Sequence, residues 1–304
     1  MNNSDAAVDV QNLSVIFGDF YAVRDVSFSV APGQIFGFLG ANGAGKTTTI
    51  RVLCGLLPAS RGRVYIDGAE FVAGRENIIK QKVGYMSQRF TLYDELSVSE
   101  NFDFAASLRQ MDRDEYIANR TRLLEMIGFD RSLSASVRSI PAGIKQQVAL
   151  CVALLHNPSI VFLDEPTAGV APAARMRFWE IIKQLAAAGK TVFVTTHYMD
   201  EAENCTRIAL MRAGQIIALD SPAELKRKTF KDTLYNFTPR HTDAKLPPDS
   251  AMRMCQPYGR HFHIRFVRNP SRDQMRRYNR DFEIKKISPS LEDVFIELVE
   301  GQNR

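Results

Sequence analysis

Near the start of the chain, apolar and polar positions alternate with a period of two. Residues 8–10, 13–17 and 26–30 read as half-buried strands on this basis. After the turn Ala31-Pro32-Gly33 comes a short continuous apolar run, 34–39, of the kind that forms a fully buried strand. A glycine-rich loop follows, then a helical stretch over 48–57. Between residues 98 and 127 the apolar spacing becomes helical, with many charges between and few β-branched residues, predicting two or three helices. From Pro158 onward strand and helix alternate again: a strand at 160–163, a helix through Trp179, Ile182 and Leu185, and a strand at 191–195. Such alternation implies a largely parallel sheet covered by helices. In the tail, residues 261–267 alternate cleanly and 282–287 nearly so. A last helix is expected to start at Ser290, with Asp293 as its capping-box partner and Leu291, Val294, Phe295, Leu298 and Val299 on one face.

Composition narrows the class. The 304 residues are 45% apolar and 24% charged, as in ordinary globular proteins. The longest apolar run, 148–155, is eight residues, and a spanning helix needs about 20, so the chain is not expected to cross a membrane by itself. Residues 1–5 carry no basic region and no apolar stretch follows, which argues against a secretory signal. Cys54, Cys151, Cys205 and Cys255 are far apart, with no metal-like spacing, and read as reduced thiols buried as small apolar groups. The net charge of +5 is uneven. Residues 226–304 hold 17 of the 39 Lys and Arg but only 10 of the 34 Asp and Glu. That shift marks a boundary near Leu225, separating a domain over 1–225, with a helical subdomain at about 95–150, from an α+β extension over 226–304. A solvated basic surface is favoured for this tail over a nucleic-acid or anionic-lipid contact.

Candidate chemistry concentrates at strand ends. Gly40-Ala41-Asn42-Gly43-Ala44-Gly45-Lys46-Thr47 has the spacing G-x-x-x-x-G-K-[ST], directly after one strand and before a helix that begins near Thr48, which is counted with these eight as a nucleotide-binding candidate. Small residues let successive N–H groups curl round phosphate oxygens, and the helix N-terminus adds its positive end. Lys46 can reach the β- and γ-phosphates, and the Thr47 hydroxyl can ligate Mg²⁺. Asp164 and Glu165 follow the apolar run 160–163, at the end of a strand where open α/β sheets bind ligands. Asp164 would hold the metal, and Glu165 would orient or deprotonate an attacking water. Gln88 and His197 also follow strands. The Gln88 amide can reach both metal and water.

Taken in this order, the phosphate loop, Gln88, Asp164-Glu165-Pro166-Thr167 and Thr195-Thr196-His197 resemble the ATP-binding subunits of ABC transporters, over roughly residues 8–224. Residues 198–203 and the tail segment 290–295 resemble the type-2 bacterial exporter group, which includes drug-efflux systems. The resemblance implies a P-loop α/β fold with a mixed sheet, a helical subdomain and a small C-terminal α+β extension. It further implies ATP and Mg²⁺ as ligands, and a peripheral place on the cytoplasmic face of the inner membrane. Phe17 takes the position of the aromatic that stacks on adenine, with Tyr21 as a neighbouring alternative. His197 would sense the γ-phosphate, and Gln88 and the helices after it would meet a membrane-spanning subunit. Two ATP-binding subunits would sandwich two ATPs, each site completed by the partner's signature.

Two stretches depart from the family pattern. The signature, close to Leu-Ser-Gly-Gly-Gln in relatives, here reads Ile140-Pro141-Ala142-Gly143-Ile144. Pro141 removes a serine hydroxyl whose bond to the partner's γ-phosphate is worth about 1.5–3 kcal/mol. Proline suits a helix's first turn, so the N–H groups of Ala142 and Gly143 remain. Ala171 stands where the family usually has an aspartate that couples the two sites. An asymmetric pair with a partner of normal signature, or a homodimer with two weakened sites, would both accommodate these changes. The competing class is a soluble ABC-type ATPase acting on the ribosome or on nucleic acid. A single ATPase domain and the lack of a heptad insertion in 98–140 count against it, and no direct nucleic-acid contact is expected.

Overall fold

The computed structural model describes residues 5–71, 76–88, 92–242, 244, 246 and 250–300. Residues 1–4, read above for a targeting signal, lie outside that range. The leading alternation folds as one strand, β1 (Val8–Phe17), antiparallel to β2 (Phe20–Val30). The segments expected at 8–10 and 13–17 join because a register shift between Val10 and Leu13, with Asn12 at φ 50°, absorbs the break in alternation. β4 (Arg61–Ile66) and β5 (Ala69–Glu70) complete a four-stranded sheet in the order β2-β1-β4-β5.

A second, six-stranded sheet holds the strands that end in chemistry. β3 (Ile35–Leu39), β6 (Val83–Met86), β7 (Ile160–Asp164), β8 (Thr191–Thr196), β9 (Arg207–Arg212) and β10 (Gln215–Asp220) run in the order β10-β9-β3-β8-β7-β6. All neighbours are parallel except β10 with β9, which makes the sheet mixed. Every residue of β3, β7 and β8 is buried, which is why these strands read as continuous apolar runs. Phe36 and Phe38 lie within 5.5 Å of Phe28, centroid to centroid, and join the first sheet to the second. Phe193 continues the cluster to Phe162 at 4.6 Å. Such ring pairs add about 0.5–1.5 kcal/mol each beyond their buried area.

Helices cover this core. α1 (Lys46–Leu53) packs against β2 and β7, and α6 (Pro172–Ala187) packs against β3 and β8. α1 starts two residues before the expected 48 and stops at Leu53 rather than 57. Gly55, at φ 69°, donates its N–H to Val52 O, and Leu56 donates to Arg51 O, a Schellman arrangement that ends the helix. α2 (Glu76–Lys82) precedes β6, and α7 (Met199–Ala202) follows β8. The middle stretch forms α3 (Val98–Leu108) and α4 (Arg113–Ile127), and α5 (Ala142–Leu154) ties both back to β6 and α6. Pro141 is the N-cap of α5, one position outside the first turn where the sequence had placed it.

The chain divides into two compact units, Met1–Ser221 and Pro222–Arg304, a division that keeps α8 (Pro222–Thr229) whole. In the second unit, β11 (Leu234–Pro239), β12 (Met252–Tyr258), β13 (His261–Phe266) and β14 (Phe282–Ile287) form an antiparallel sheet in the order β12-β13-β11-β14. Phe237, Ile264, Phe266 and Phe282 form its core together with Tyr278 of α9 (Arg272–Tyr278). α10 (Leu291–Glu300) packs against α8. Asp293 N–H donates to Ser290 Oγ at 3.2 Å, and Ser290 N–H donates to Asp293 Oδ2 at 2.8 Å, closing the expected capping box. Cys54, Cys151 and Cys205 are buried, but Cys255 is exposed, contrary to the expectation that all four thiols would be enclosed. The reason is its position on edge strand β12, where alternate side chains face solvent.

Candidate functional site

Parallel pairing brings the C-terminal ends of β3, β7 and β8 side by side, and the loops leaving them converge. The loop after β3 wraps back on itself around Gly40 and Gly45. A Cβ on Gly40 would lie 2.3 Å from Met211 O, and Gly45 holds φ 102° with Ala22 O 2.6 Å from where its Cβ would be. Only glycine fits at either position, so the backbone cradle is set by sterics. It opens into a cavity of about 530 Å³ lined by Phe17, Phe20, Ala22, residues 42–48, Gln88 and Glu165.

Lys46 is 4% exposed, and its ammonium donates to Gly40 O at 2.7 Å and Ala41 O at 3.1 Å. Burial pulls its pKa down, opposed by the Glu165 and Asp164 carboxylates. Thr47 Oγ1 donates to Asp164 Oδ1 at 2.9 Å, and Thr195 Oγ1 donates to the same oxygen at 2.6 Å. Glu165 is the meeting point. Its Oε1 lies 3.7 Å from Lys46 Nζ, and its Oε2 accepts from Gln88 Nε2 at 3.0 Å and lies 3.3 Å from His197 Nδ1. The backbone of Glu165 sits in the left-handed region at φ 48°, where a side chain costs about 1–2 kcal/mol. Its N–H donates to Thr195 Oγ1 at 2.8 Å, which holds that conformation.

Two features test whether ATP and a divalent cation fit. Thr47, Asp164 and the Gln88 amide offer hard oxygen donors of the kind Mg²⁺ takes. Both hydroxyl bonds to Asp164 end on Oδ1, and among the described residues none is made to Oδ2. His197 Nδ1 is buried without a hydrogen-bond partner, although it lies within ion-pair distance of Glu165, so it can take a further acceptor. The donors present fit both groups.

Among the sequence-derived candidates, Phe17, Asn42, Gly43, Ala44, Gly45, Lys46, Thr47, Thr48, Gln88 and Glu165 line one cavity. Asp164 and His197 stand directly behind it, and Gly40 and Ala41 supply the carbonyls that hold Lys46. Pro141, Ala142, Gly143 and Ile144 do not line it. They begin α5, and Gly143 packs against Ala174 so closely that a Cβ would lie 2.7 Å from the Ala174 Cβ. Phe20, 64% exposed, lines the cavity beside Phe17 and went unremarked in the sequence. Tyr21 instead packs under the Arg24 guanidinium at 4.5 Å. Thr195 was likewise missed as a site residue, because its tie to Asp164 depends on the pairing of β7 with β8.

Residues 23–168 match the family model described as ABC transporter. The chain is 41% identical over 231 residues to a probable multidrug ABC transporter ATP-binding protein, YbhF, of Escherichia coli, an alignment covering 75% of this chain and 39% of that protein's length. It is 32% identical over 306 residues to the Nod factor export ATP-binding protein I of Bradyrhizobium diazoefficiens, covering 98% of each. Among solved structures, a dimeric ATP-binding cassette in a post-hydrolysis state, bound to ADP and Pi, aligns with a TM-score of 0.63 and 25% identity. That alignment covers 70% of this chain and 98% of that one.

Proposed function

Because the chain belongs to the ATP-binding subunits of ABC transporters, we propose that it hydrolyses ATP to drive export through a separate membrane-spanning subunit. The observation that carries the reading is the convergence of Lys46, Gln88 and His197 on Glu165, all within 3.7 Å. Residues 40–47 wrap the phosphates, with Lys46 turning from its carbonyl partners to the β- and γ-oxygens. Phe17 and Phe20 stack on the adenine; base–aromatic stacking is worth about 1–3 kcal/mol per base. Thr47, Asp164 and Gln88 hold Mg²⁺, which when bound neutralises charge developing on the phosphate oxygens. Glu165 takes a proton from the attacking water as the new P–O bond forms. The bond from the γ-phosphorus to the β–γ bridging oxygen breaks, leaving ADP and phosphate. His197 donates to the γ-phosphate, and Lys46 steadies it from the other side.

The partners follow from the same reading. Pro141, Ala142, Gly143 and Ile144 present the start of α5 to the nucleotide of a second ATP-binding subunit, identical or different. The dimeric cassette among the structural relatives supports such an arrangement. A groove of about 1020 Å³, bordered by Leu56, Tyr85, Leu108 and Met111, supports docking of the membrane subunit. Leu108, 70% exposed, shares this lining with the charged Lys80, Arg109, Asp112 and Glu115. Among the described residues no helix is long and apolar enough to cross a membrane. The proposed place is peripheral, on the cytoplasmic face of the membrane, and the Nod factor export named for the Bradyrhizobium diazoefficiens relative supports outward transport.

The test is ATP turnover by the purified chain across a protein concentration series, with Glu165→Gln as the reference. Glu165→Gln is expected to bind ATP while losing most of its hydrolysis, and undiminished turnover in that variant would remove Glu165 from the mechanism. A specific rate that rises with concentration indicates a working homodimer. Bound ATP without turnover indicates an obligate, different partner carrying the better signature.

A further inference from the structure

Glu201 is 2% exposed and lies outside the cavity, on the short helix α7, yet its carboxylate is fully engaged. Thr167 Oγ1 donates to Oε1 at 2.5 Å, and Thr196 Oγ1 donates to Oε2 at 2.8 Å. Both threonines are 1% exposed. Arg175 brings its Nε to 3.3 Å from Oε1 without hydrogen-bond alignment, and its guanidinium lies over the Tyr198 ring at 4.3 Å. The Tyr198 ring in turn lies 4.1 Å from that of His197. Burying a carboxylate costs several kcal/mol of hydration unless charges and hydrogen bonds replace the water. Here one guanidinium and two hydroxyls do so, and the hydroxyls sit at informative places. Thr167 is two residues after Glu165, and Thr196 is immediately before His197.

We propose that Glu201 is a positioning residue that ties the loop carrying Glu165 to the loop carrying His197, so that the two side chains keep one mutual geometry. The inference rests on the ATPase reading above. Two further contacts bear on it. The Thr196 hydroxyl that donates to Glu201 also accepts from Tyr198 N–H at 3.0 Å, fixing the chain on both sides of His197. On the other loop, Ala168 N–H donates to Glu165 O at 3.2 Å, so the turn that holds Glu165 at φ 48° closes right beside the anchored Thr167. A carboxylate is the side chain that accepts from two hydroxyls at once and pairs with a guanidinium. An amide in its place must point one N–H₂ face at an existing donor.

Glu201→Gln keeps the size and loses the charge, and Thr167→Val removes one arm of the tie. Each is expected to lower kcat by about tenfold to a hundredfold, the scale of a small misplacement of reacting groups, with KM for ATP within about threefold. The double variant should be no worse than Glu201→Gln alone, because both act through one contact. In nucleotide-free protein labelled on histidine, the His197 ring resonances, assigned by their loss in His197→Ala, should shift or broaden in Glu201→Gln. Unmoved His197 resonances in a folded Glu201→Gln protein would overturn the proposal. So would a kcat unchanged within about twofold, or additive losses in the double variant. A wild-type chain that binds but never hydrolyses ATP with any partner would sink the ATPase reading instead, and the resonances would still decide whether the tie exists.

Discussion

His156 shows how one imidazole can set a limit on pH. Its Nε2 lies 3.1 Å from Val83 O, and its Nδ1 is buried with no hydrogen-bond partner. A second proton would have to go to that enclosed Nδ1, so burial pulls the pKa down to about 4, with the Arg109 and Lys190 charges adding to the effect. In the unfolded chain the ring takes its proton near pH 6.5, so stability is intact above that value and is lost as pH falls toward 4. Allowing for partial exposure, the loss is on the order of 1–3 kcal/mol. Urea unfolding at pH 7.5 and 5 should show it, and His156→Gln should flatten the difference. An equal loss in the variant would assign the acid sensitivity to other groups. At this scale, legibility depended on whether a local pattern marks the residue. Lys46 and Thr47 could be picked out by the fixed spacing of the glycine loop, and Asp164 by its place at the end of a continuous apolar strand. Phe20, Thr195 and Glu201 could not, because their roles arise only from contacts across the fold, as with Thr167 and Glu201. The left-handed backbone of Glu165 leaves no local mark either.

Helix ends carry the departures from the family pattern. α3 opens on a Ser97–Glu100 capping box and α4 on Asp112, and α4 closes on Gly128 at φ 62°. The N-caps of α5 and α6, Pro141 and Ala171, have no side chain that accepts a hydrogen bond. Ala171→Asp supplies an acceptor and a negative charge at the start of α6, and should stabilise the chain by about 0.5–2 kcal/mol in urea unfolding. Pro141→Ser should differ. The new cap is offset by the conformational entropy the unfolded chain regains when proline is removed, about 0.4–1 kcal/mol, so stability should barely change. Its expected effect is faster ATP turnover, through the hydroxyl offered to the partner's nucleotide. No increase, with association verified, would mean that the N–H groups of Ala142 and Gly143 already suffice. Capped helices and buried strands were also the elements easiest to read from the chain. β12 escaped notice because Pro257 interrupts its pattern, which is tolerable only because the strand lies at a sheet edge. β4 escaped because Arg61-Gly62-Arg63 gives half of it no apolar face.

At the scale of the whole molecule, strand–helix alternation was enough to identify an α/β unit, but not the neighbours of each strand. Placing β3 between β8 and β9 requires pairings such as Phe36 with Phe193, more than 150 residues apart, and nothing local encodes them. The charge shift near Leu225 is a whole-chain signal of another kind, since it appears only when one part is weighed against the other. The thiols also acquire meaning only at this scale. Burial raises all four, Cys205 to about 12, but only Cys255 is open to a reagent. A maleimide dye should therefore attach once per native chain and reach four per chain after denaturation, as counted by mass spectrometry. Two or more attachments under native conditions would mean that the enclosure of Cys54, Cys151 or Cys205 opens. Because Cys255 belongs to the second unit, the natural sequence supplies a single anchoring point for a fluorophore or spin label, remote in sequence from every residue that lines the glycine-loop cavity and available without engineering.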